Sequence, residues 1–425
     1  MAGRASFTRR AFLGAAATTT AELALHGSPA AAAAVQPAGG AASIVGSTLV
    51  VNVRATAAAR VRARAWPRSA PTQVLTSGWQ ATNRSHAANI VVTGASPVHR
   101  DWVWQGEVQD ALGTSAPIGD IARTVPAWPA RGERSAFAFG FGACITHALP
   151  APAMTHSHSW EPKFFAIIGD MDYVDWGSTP QTYELYSKWF TYFLTRNEVA
   201  PLVAGHPIMG VQDDHDYGLD GCSAATIKTY AAQAYADVIP GAQYPQATYR
   251  QWGLGDVDVW LLDNRRYKDP KGGPYENGQW MSVLRSAQRS WLLNGLAASP
   301  ARLKIILAPM TFGYYWSKGE QAVVKDWISA HVSGTVIFCT GDRHQTAFVH
   351  PAPRIWEFLA CPINNPKKTV AYSIPGLVWV EHPGATATSN AVGVMEIDTA
   401  TASPYVTMRA VTDNGGTLHA ETVRI

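Results

Sequence analysis

The chain has 425 residues, 47% of them hydrophobic and 15% charged, which suits two or three domains with an ample core and excludes disorder for its bulk. Lys plus Arg number 34 against 31 Asp plus Glu, and a net charge of +3 excludes a nucleic-acid-binding surface built on basic excess. No apolar run reaches the ~18–20 uncharged residues of a membrane helix, and the four cysteines, at 144, 222, 339 and 361, form no CxxC pair of the zinc-ribbon kind.

Residues 1–34 read as an address. Thr8-Arg9-Arg10-Ala11-Phe12-Leu13-Gly14 precedes a mild Ala- and Thr-rich stretch, and small residues follow across Ala30 to Ala34. A charged start, a weak apolar middle and an Ala-rich end make a secretory signal, and the paired arginines give it a Tat look. The expectation is a secreted, periplasmic or cell-envelope protein exported by the Tat machinery after taking up a cofactor, with a mature chain starting near Val35.

Residues 43–126 are β-like. Strands are expected at Leu49–Arg54, Val61–Trp66, Ile90–Val92 and Asp101–Val108. Gly, Pro and Ser between them predict a small antiparallel sandwich of fibronectin-like size. Arg123 to Gly132 is expected to be a linker.

From residue 135 to 425 the pattern becomes α/β. Strands are expected at Ala136–Phe141, Phe164–Ile168, Ile208–Val211, Val257–Leu262, Lys304–Leu307 and Val336–Cys339. Helices are expected at Gln181–Val199, Ala224–Val238, Ser286–Ala298 and Gln321–His331. Strands return at Ile355–Leu359, Leu377–Val380, Val392–Ile397 and Tyr405–Val411. Such alternation predicts a sheet covered on both faces.

Ligands of α/β sheets bind beyond the carboxyl ends of strands. Four apolar runs here end in chemistry-bearing residues: Cys144; Asp170, Tyr173 and Asp175; Asp213, Asp214, His215 and Asp216; and Asp342, Arg343 and His344. Carboxylates brought to one edge repel and protonate unless a cation joins them. Carboxylates suit hard cations, while a thiolate with a phenolate suits a ferric ion. Asp170 is placed to bridge two metals, which about 3.5–4 Å apart would clamp a phosphate and activate water. His215 is the candidate general acid, and Arg343 is a candidate for the phosphoryl charge.

Five blocks in order carry a resemblance. They are Gly169-Asp170-Met171-Asp172-Tyr173-Val174-Asp175, Asp213-Asp214-His215-Asp216, Leu262-Asp263-Asn264-Arg265-Arg266-Tyr267, Ala287-Gln288-Arg289-Ser290-Trp291-Leu292 and Gly341-Asp342-Arg343-His344. They resemble the G-D-x-x-Y-x-D, D-D-H-E/D, L-D-T-R-x-Y, E-Q-x-x-W-L and G-D-V-H blocks of the PhoD-like alkaline phosphatase and phosphodiesterase family, within the calcineurin-like metallophosphoesterases. The resemblance implies a four-layer α-β-β-α catalytic domain behind the β-sandwich. It implies phosphoester hydrolysis by metal-bound hydroxide at a di- or multinuclear centre of Fe3+ and Ca2+, with Mn2+ or Zn2+ as alternatives. Carried over by position, Cys144, Asp170 and Tyr173 are iron-side ligands, Asp214, Asp342 and His344 further ligands, and Asp213 the weaker of the acidic pair. The alternatives are a phospholipase D-like phosphodiesterase releasing choline, and an inactive metal-stabilised binding protein. No G-x-S-x-G of a serine hydrolase follows a strand.

Three departures stand out. Leu307-Ala308-Pro309-Met310-Thr311 lacks the superfamily's His, Asn264 stands for Thr, and Arg343 replaces a small apolar residue. Asp263 and Arg265 read as a structural ion pair behind the site. His147, His156 and His158 read as exposed loop histidines. Cys222, Cys339 and Cys361 read as core thiols, with a disulfide among them left open. Tyr314, Tyr315 and Trp316 divide between core and cleft wall.

Overall fold

A computed structural model describes residues 37–117, 123–176, 180–242, 246–366, 373–381 and 390–425, with side chains from residue 40 onward. The signal at 1–34 lies outside the described residues.

Two antiparallel sheets open the fold. One pairs Pro37–Val45 with Thr48–Ala55, and that strand with Ala87–Val91. The first strand escapes a sequence reading because Pro, Gly and Ala dominate it. Its partner fixes its register, through a turn at Gly46 whose φ of 63° suits glycine. The second sheet centres on Arg60–Pro67 and Trp102–Gln109. Val61, Ala63 and Ala65 turn inward between arginines that turn outward, as period-2 alternation requires. The expected linker is corrected by this sheet. Arg123–Val125 is a strand paired with Trp102–Trp104, and Trp128 is buried and donates its indole N–H to the Lys163 carbonyl (3.3 Å). Arg131 then grips Asp258 through Nε (2.9 Å) and Nη2 (2.6 Å).

Two larger sheets follow. The six-stranded sheet runs in the order Ile208–Val211, Phe165–Ile168, Ala136–Gly142, Ala391–Asp398, Tyr405–Thr412, Thr417–Arg424, with the first three strands parallel. The seven-stranded sheet has a parallel core of Val257–Leu261, Leu303–Met310, Thr335–Gly341 and Ile355–Ala360. One buried cluster joins Phe137, Phe139, Phe141 and Ile168 of the first sheet to Ile305, Leu307, Ile337 and Phe358 of the second. Their faces therefore meet. The opposite face of the first sheet packs Phe165 and Ile167 against Tyr186, Phe190, Leu202 and Tyr235 from helices. That of the second packs Trp260, Ile306 and Phe338 against Leu292, Leu296, Val324 and Ile328, also from helices. Both faces being covered explains the unbroken apolar strands. Among the described residues, no helix is long and apolar enough to cross a membrane.

The N-terminal sheets also cap a helix of the α/β region. The helix Thr229–Val238 ends with carbonyls lacking intrahelical partners. Asn52 and Asn83 donate to the Asp237 carbonyl (3.1 Å each), and Asn89 donates to that of Ala236 (2.7 Å).

Several helices differ from expectation. The expected helix Gln181–Val199 is shorter, Tyr183–Thr195, ending where Arg196 turns extended, and a separate short helix Ala200–Gly205 follows with Pro201 in its first turn, where the missing N–H costs nothing. Helix Thr229–Val238 starts later than the expected 224. The loop histidines are also corrected. His156 and His158 lie on a helix, Pro152–His158, and His158 Nδ1 stands 2.9 Å from His206 Nε2. Burial, with His158 alongside, pushes His206 down to about 3, and burial lowers His158.

A pH dependence follows from this pair. Both imidazoles are held neutral in the fold, while the unfolded chain protonates them near the ordinary value of 6.5. Their contribution is therefore present above pH ~6.5 and is lost as pH falls toward 3. His206→Asn should flatten the dependence of the urea midpoint on pH across that window. An unchanged slope would show that the pair carries no such linkage.

Candidate active site

Four turns at strand ends build the site. Ala136–Gly142 delivers Cys144, Phe165–Ile168 delivers Asp170, Ile208–Val211 delivers Asp213 and Asp214, and Thr335–Gly341 delivers Asp342 and His344. Cys144, Asp170, Asp342 and His344 all have φ between 54° and 67°. Non-glycine residues in this region carry strain, and such residues cluster at functional sites. Glycine precedes the two aspartates for steric reasons. A Cβ on Gly169 would lie 2.3 Å from that of Asp213, and one on Gly341 2.5 Å from that of Ala143.

The turns are tied together by Asp216. Its carboxylate is fully buried and accepts the backbone N–H groups of Asp170 (2.7 Å), Met171 (2.8 Å) and Asp213 (3.0 Å). Burial pushes its pKa up to about 7 against those donors.

The predicted ligands converge. Tyr173 OH donates to Asp170 Oδ2 (3.0 Å) and meets His344 Nε2 (2.8 Å), and Cys144 Sγ lies 3.5 Å from Asp170 Oδ2. His344 Nδ1 donates to the Pro366 carbonyl (2.8 Å), which fixes the ring with Nε2 toward the site. Three sets of ligand atoms lie within 4.8 Å of one another: Cys144, Asp170 and His344; Asp170, Asp214 and His215; Asp213, Asp214 and Asp342. Asp170 and Asp214 each belong to two sets. The buried Asp170 Oδ1 and Asp213 Oδ2 lack a hydrogen-bond partner. Orphaned carboxylate oxygens inside an O, N and S donor set fit metal ions.

The electrostatics agree. Burial, with Asp214 next, pushes Asp170 well up; burial also raises Asp213 and takes Asp342 up to about 6, against the pull of Arg265. Burial disfavours the charged form of Asp214 too, but Arg265 and then His215 hold it below the ordinary carboxylate value. Burial raises Tyr173 and Cys144. These groups resist ionising together until a cation arrives.

Arg265 occupies a different place from the one its sequence position suggests. Its side chain leaves Asp263 and enters the acidic cluster. Nε bonds Asp213, while Nη2 reaches Asp342 Oδ2 (2.5 Å) and Asp214 Oδ2 (3.1 Å). Asp263 is instead consumed by the backbone N–H groups of Arg265 (3.1 Å) and Arg266 (2.9 Å) and by the Tyr217 hydroxyl (2.5 Å). Gln288 brackets Asp263 from both sides, accepting from its N–H and donating to its carbonyl (2.9 Å each). Sequence alone misses this because the near neighbour is the obvious partner.

His215 is oriented by Asp175, whose Oδ1 lies 2.7 Å from Nδ1. Burial works against the imidazolium, but Asp175 and then Asp214 raise its pKa overall. His147 pairs with Asp172 (2.8 Å) and stacks on Trp189 at 3.7 Å, so it is anchored rather than a free loop histidine. Arg343 lies over the ring of the exposed Tyr314 (4.1 Å) and hydrogen-bonds Tyr315. Trp316 is core. Asn264 Oδ1 accepts from the Met310 N–H (3.3 Å), while Asn264 Nδ2 and Thr311 Oγ1 are buried without partners.

The PhoD-like phosphatase family matches residues 173–405. That span includes Tyr173, the Asp213–Asp216 block, Arg265 and the Asp342–His344 block, and begins just after Asp170. No curated protein matches the sequence. Among solved structures, PhoD superposes with a TM-score of 0.72 at 14% identity, covering 93% of this chain and 94% of that one. Purple acid phosphatase PPD1 from yellow lupin (Lupinus luteus) seeds superposes at 0.64 and 10% identity, covering 92% and 74%. At such identities these two show a shared mixed α/β fold. The chain belongs to the PhoD-like phosphatase family and is a metal-dependent phosphoric ester hydrolase.

Proposed function

We propose that the chain is an exported phosphoesterase whose centre holds more than one metal ion, in a four-layer α-β-β-α domain at 135–425 behind a fibronectin-like sandwich at 43–126. Cys144, Asp170, Tyr173, Asp213, Asp214, Asp342 and His344 would hold the metals. The observation that carries this is the sharing of Asp170 and Asp214 between neighbouring donor sets, with a buried carboxylate oxygen of Asp170 left unpartnered. The thiol and phenol beside Asp170 favour Fe3+ on that side, and the carboxylates favour Ca2+. Bound there, the metals would supply an ionised water as nucleophile and positive charge for the phosphoryl oxygens.

The chain's own residues do the rest. His215, held by Asp175, is raised toward its protonated form and is placed to give a proton to the departing alkoxide. Arg343, stacked over Tyr314, would orient a phosphoryl oxygen. Arg265 offsets the carboxylates and keeps the cluster charged enough to accept cations. Export by the Tat route, read from Arg9 and Arg10, belongs to the same proposal. Monoester, diester and choline-releasing phospholipid hydrolysis share this machinery. Parallel assays of an aryl phosphate monoester and its diester at alkaline pH separate them.

Asp170→Asn should abolish hydrolysis and metal retention while thermal unfolding and circular dichroism stay close to wild type; full activity would sink the assignment. His215→Ala should lower kcat by about 10²–10⁴-fold. Asp175→Asn should lower it less and shift the acidic group seen in the pH–rate profile downward. Arg265→Met strips a partner from buried Asp213 and Asp342, so the chelator-treated protein should lose about 3–5 kcal/mol in denaturant unfolding. Metal-saturated protein should lose less, and equal losses would mean that metal and guanidinium do not share the cluster's charge.

A further inference from the structure

Cys361 belongs to the buried core but has no part in the proposed chemistry. It follows the strand Ile355–Ala360, is fully buried, and places its sulfur 2.9 Å from Cys144 Sγ. All four cysteines are free thiols. The two sulfurs approach closer than unbonded sulfurs normally pack, and the segments carrying them are laced together. The Ile363 N–H donates to the Ala143 carbonyl (2.9 Å). Asn364 accepts from the Thr146 N–H (2.6 Å) and donates to the Thr146 (2.9 Å) and Leu149 (2.6 Å) carbonyls. Cys144 itself is pinned by its N–H to the Gly169 carbonyl (3.2 Å). The pair is thus held at near-bonding separation by backbone that would have to come apart to separate it. Cys222 differs, its sulfur lying 4.0 Å from the Asp214 carbonyl.

We propose that Cys144 and Cys361 form a reversible disulfide that closes the thiolate position of the metal site when the metal is absent. The inference rests on the reading of Cys144 as a metal ligand. The oxidant is a small peroxide. One thiol attacks the peroxide, the O–O bond breaks, and a sulfenic acid and one water form. The second thiol attacks the sulfenic sulfur, the S–S bond forms, and a second water leaves. Both sulfurs are oxidised, the peroxide is reduced, and the two thiol protons end in water. A disulfide sulfur is no thiolate, so oxidation removes a ligand and metal protects the pair from oxidation. A dithiol reverses the step by exchange.

The test uses the full chain stripped of metal by a chelator and treated with hydrogen peroxide. It is then unfolded, alkylated and mapped by mass spectrometry. The expected result is a peptide linked through Cys144 and Cys361, with Cys222 and Cys339 alkylated. Iron(III) affinity, followed by thiolate-to-iron absorption and elemental analysis, should fall by on the order of tenfold or more and return with dithiothreitol. Prior iron loading should suppress the link. Cys361→Ala should load iron but pass to Cys144 sulfinic acid under peroxide, and Cys361→Ser serves where the alanine variant folds poorly. Four alkylatable thiols after oxidation, or a linked chain that loads iron as the reduced one does, would overturn the proposal. Cys144→Ser tests the ligand assignment separately: iron retained there, with its absorption, overturns that assignment and the switch with it, whether or not wild-type protein forms the link.

Discussion

The constraint on which the structure depends is the crowding of buried carboxylates at the ends of parallel strands. Asp170, Asp213, Asp214, Asp216 and Asp342 are held within one region from which water is largely removed. Left alone they would take up protons, because burial costs an anion more than hydrogen bonds return. The fold answers in three ways. Arg265 brings a permanent cation among them. Asp216 is given backbone N–H groups. Oxygens of Asp170 and Asp213 are left without a hydrogen-bond partner, open to the cations proposed above. Metal dependence is therefore a condition for this arrangement of charges as much as a feature of the chemistry.

Holding those charges in place requires backbone that few sequences adopt willingly. Cys144, Asp170, Asp342 and His344 sit in left-handed conformations that the surrounding sheets over-determine. Two sheets packed face to face provide that determination, since a shift in one strand end would have to displace large core side chains such as Phe139, Phe141 and Phe358. Rigidity in the apolar layers is what lets polar groups be aimed at their rims. Further out, Asp263 and Gln288 spend their hydrogen bonds on the loop that aims Arg265, so positions remote from the acidic cluster still govern it.

Much of this was legible from the chain. Apolar runs ending in Gly-Asp or Asp-Asp-His announce strand ends that carry chemical groups, and the four expected turns do converge. The failures have a common cause. Arg265 was paired with Asp263 because they are two residues apart, yet the Asp263 carboxylate is taken by backbone that no sequence displays. The attachment of His147 to Asp172 and Trp189, and of Cys361 to Cys144, joins segments whose neighbourhood only the folded sheets define. Pro37–Val45 lacks strand-forming residues and owes its conformation to its partner. Sequence reveals what a segment prefers, and it is weakest where one segment's state is imposed by another.

Asn52, Asn83 and Asn89 end the helix Thr229–Val238 from another part of the chain. The N-terminal region thus supplies polar groups to the end of a helix of the phosphatase region. In translation those strands emerge first and must wait for some 150 residues of later chain before their amides find a purpose. A boundary drawn where family similarity begins, at Tyr173, would cut through a single compact unit, Val35–Ile425. Joined to a different N-terminal partner, the catalytic region would have those helix-end carbonyls met by other donors or by water.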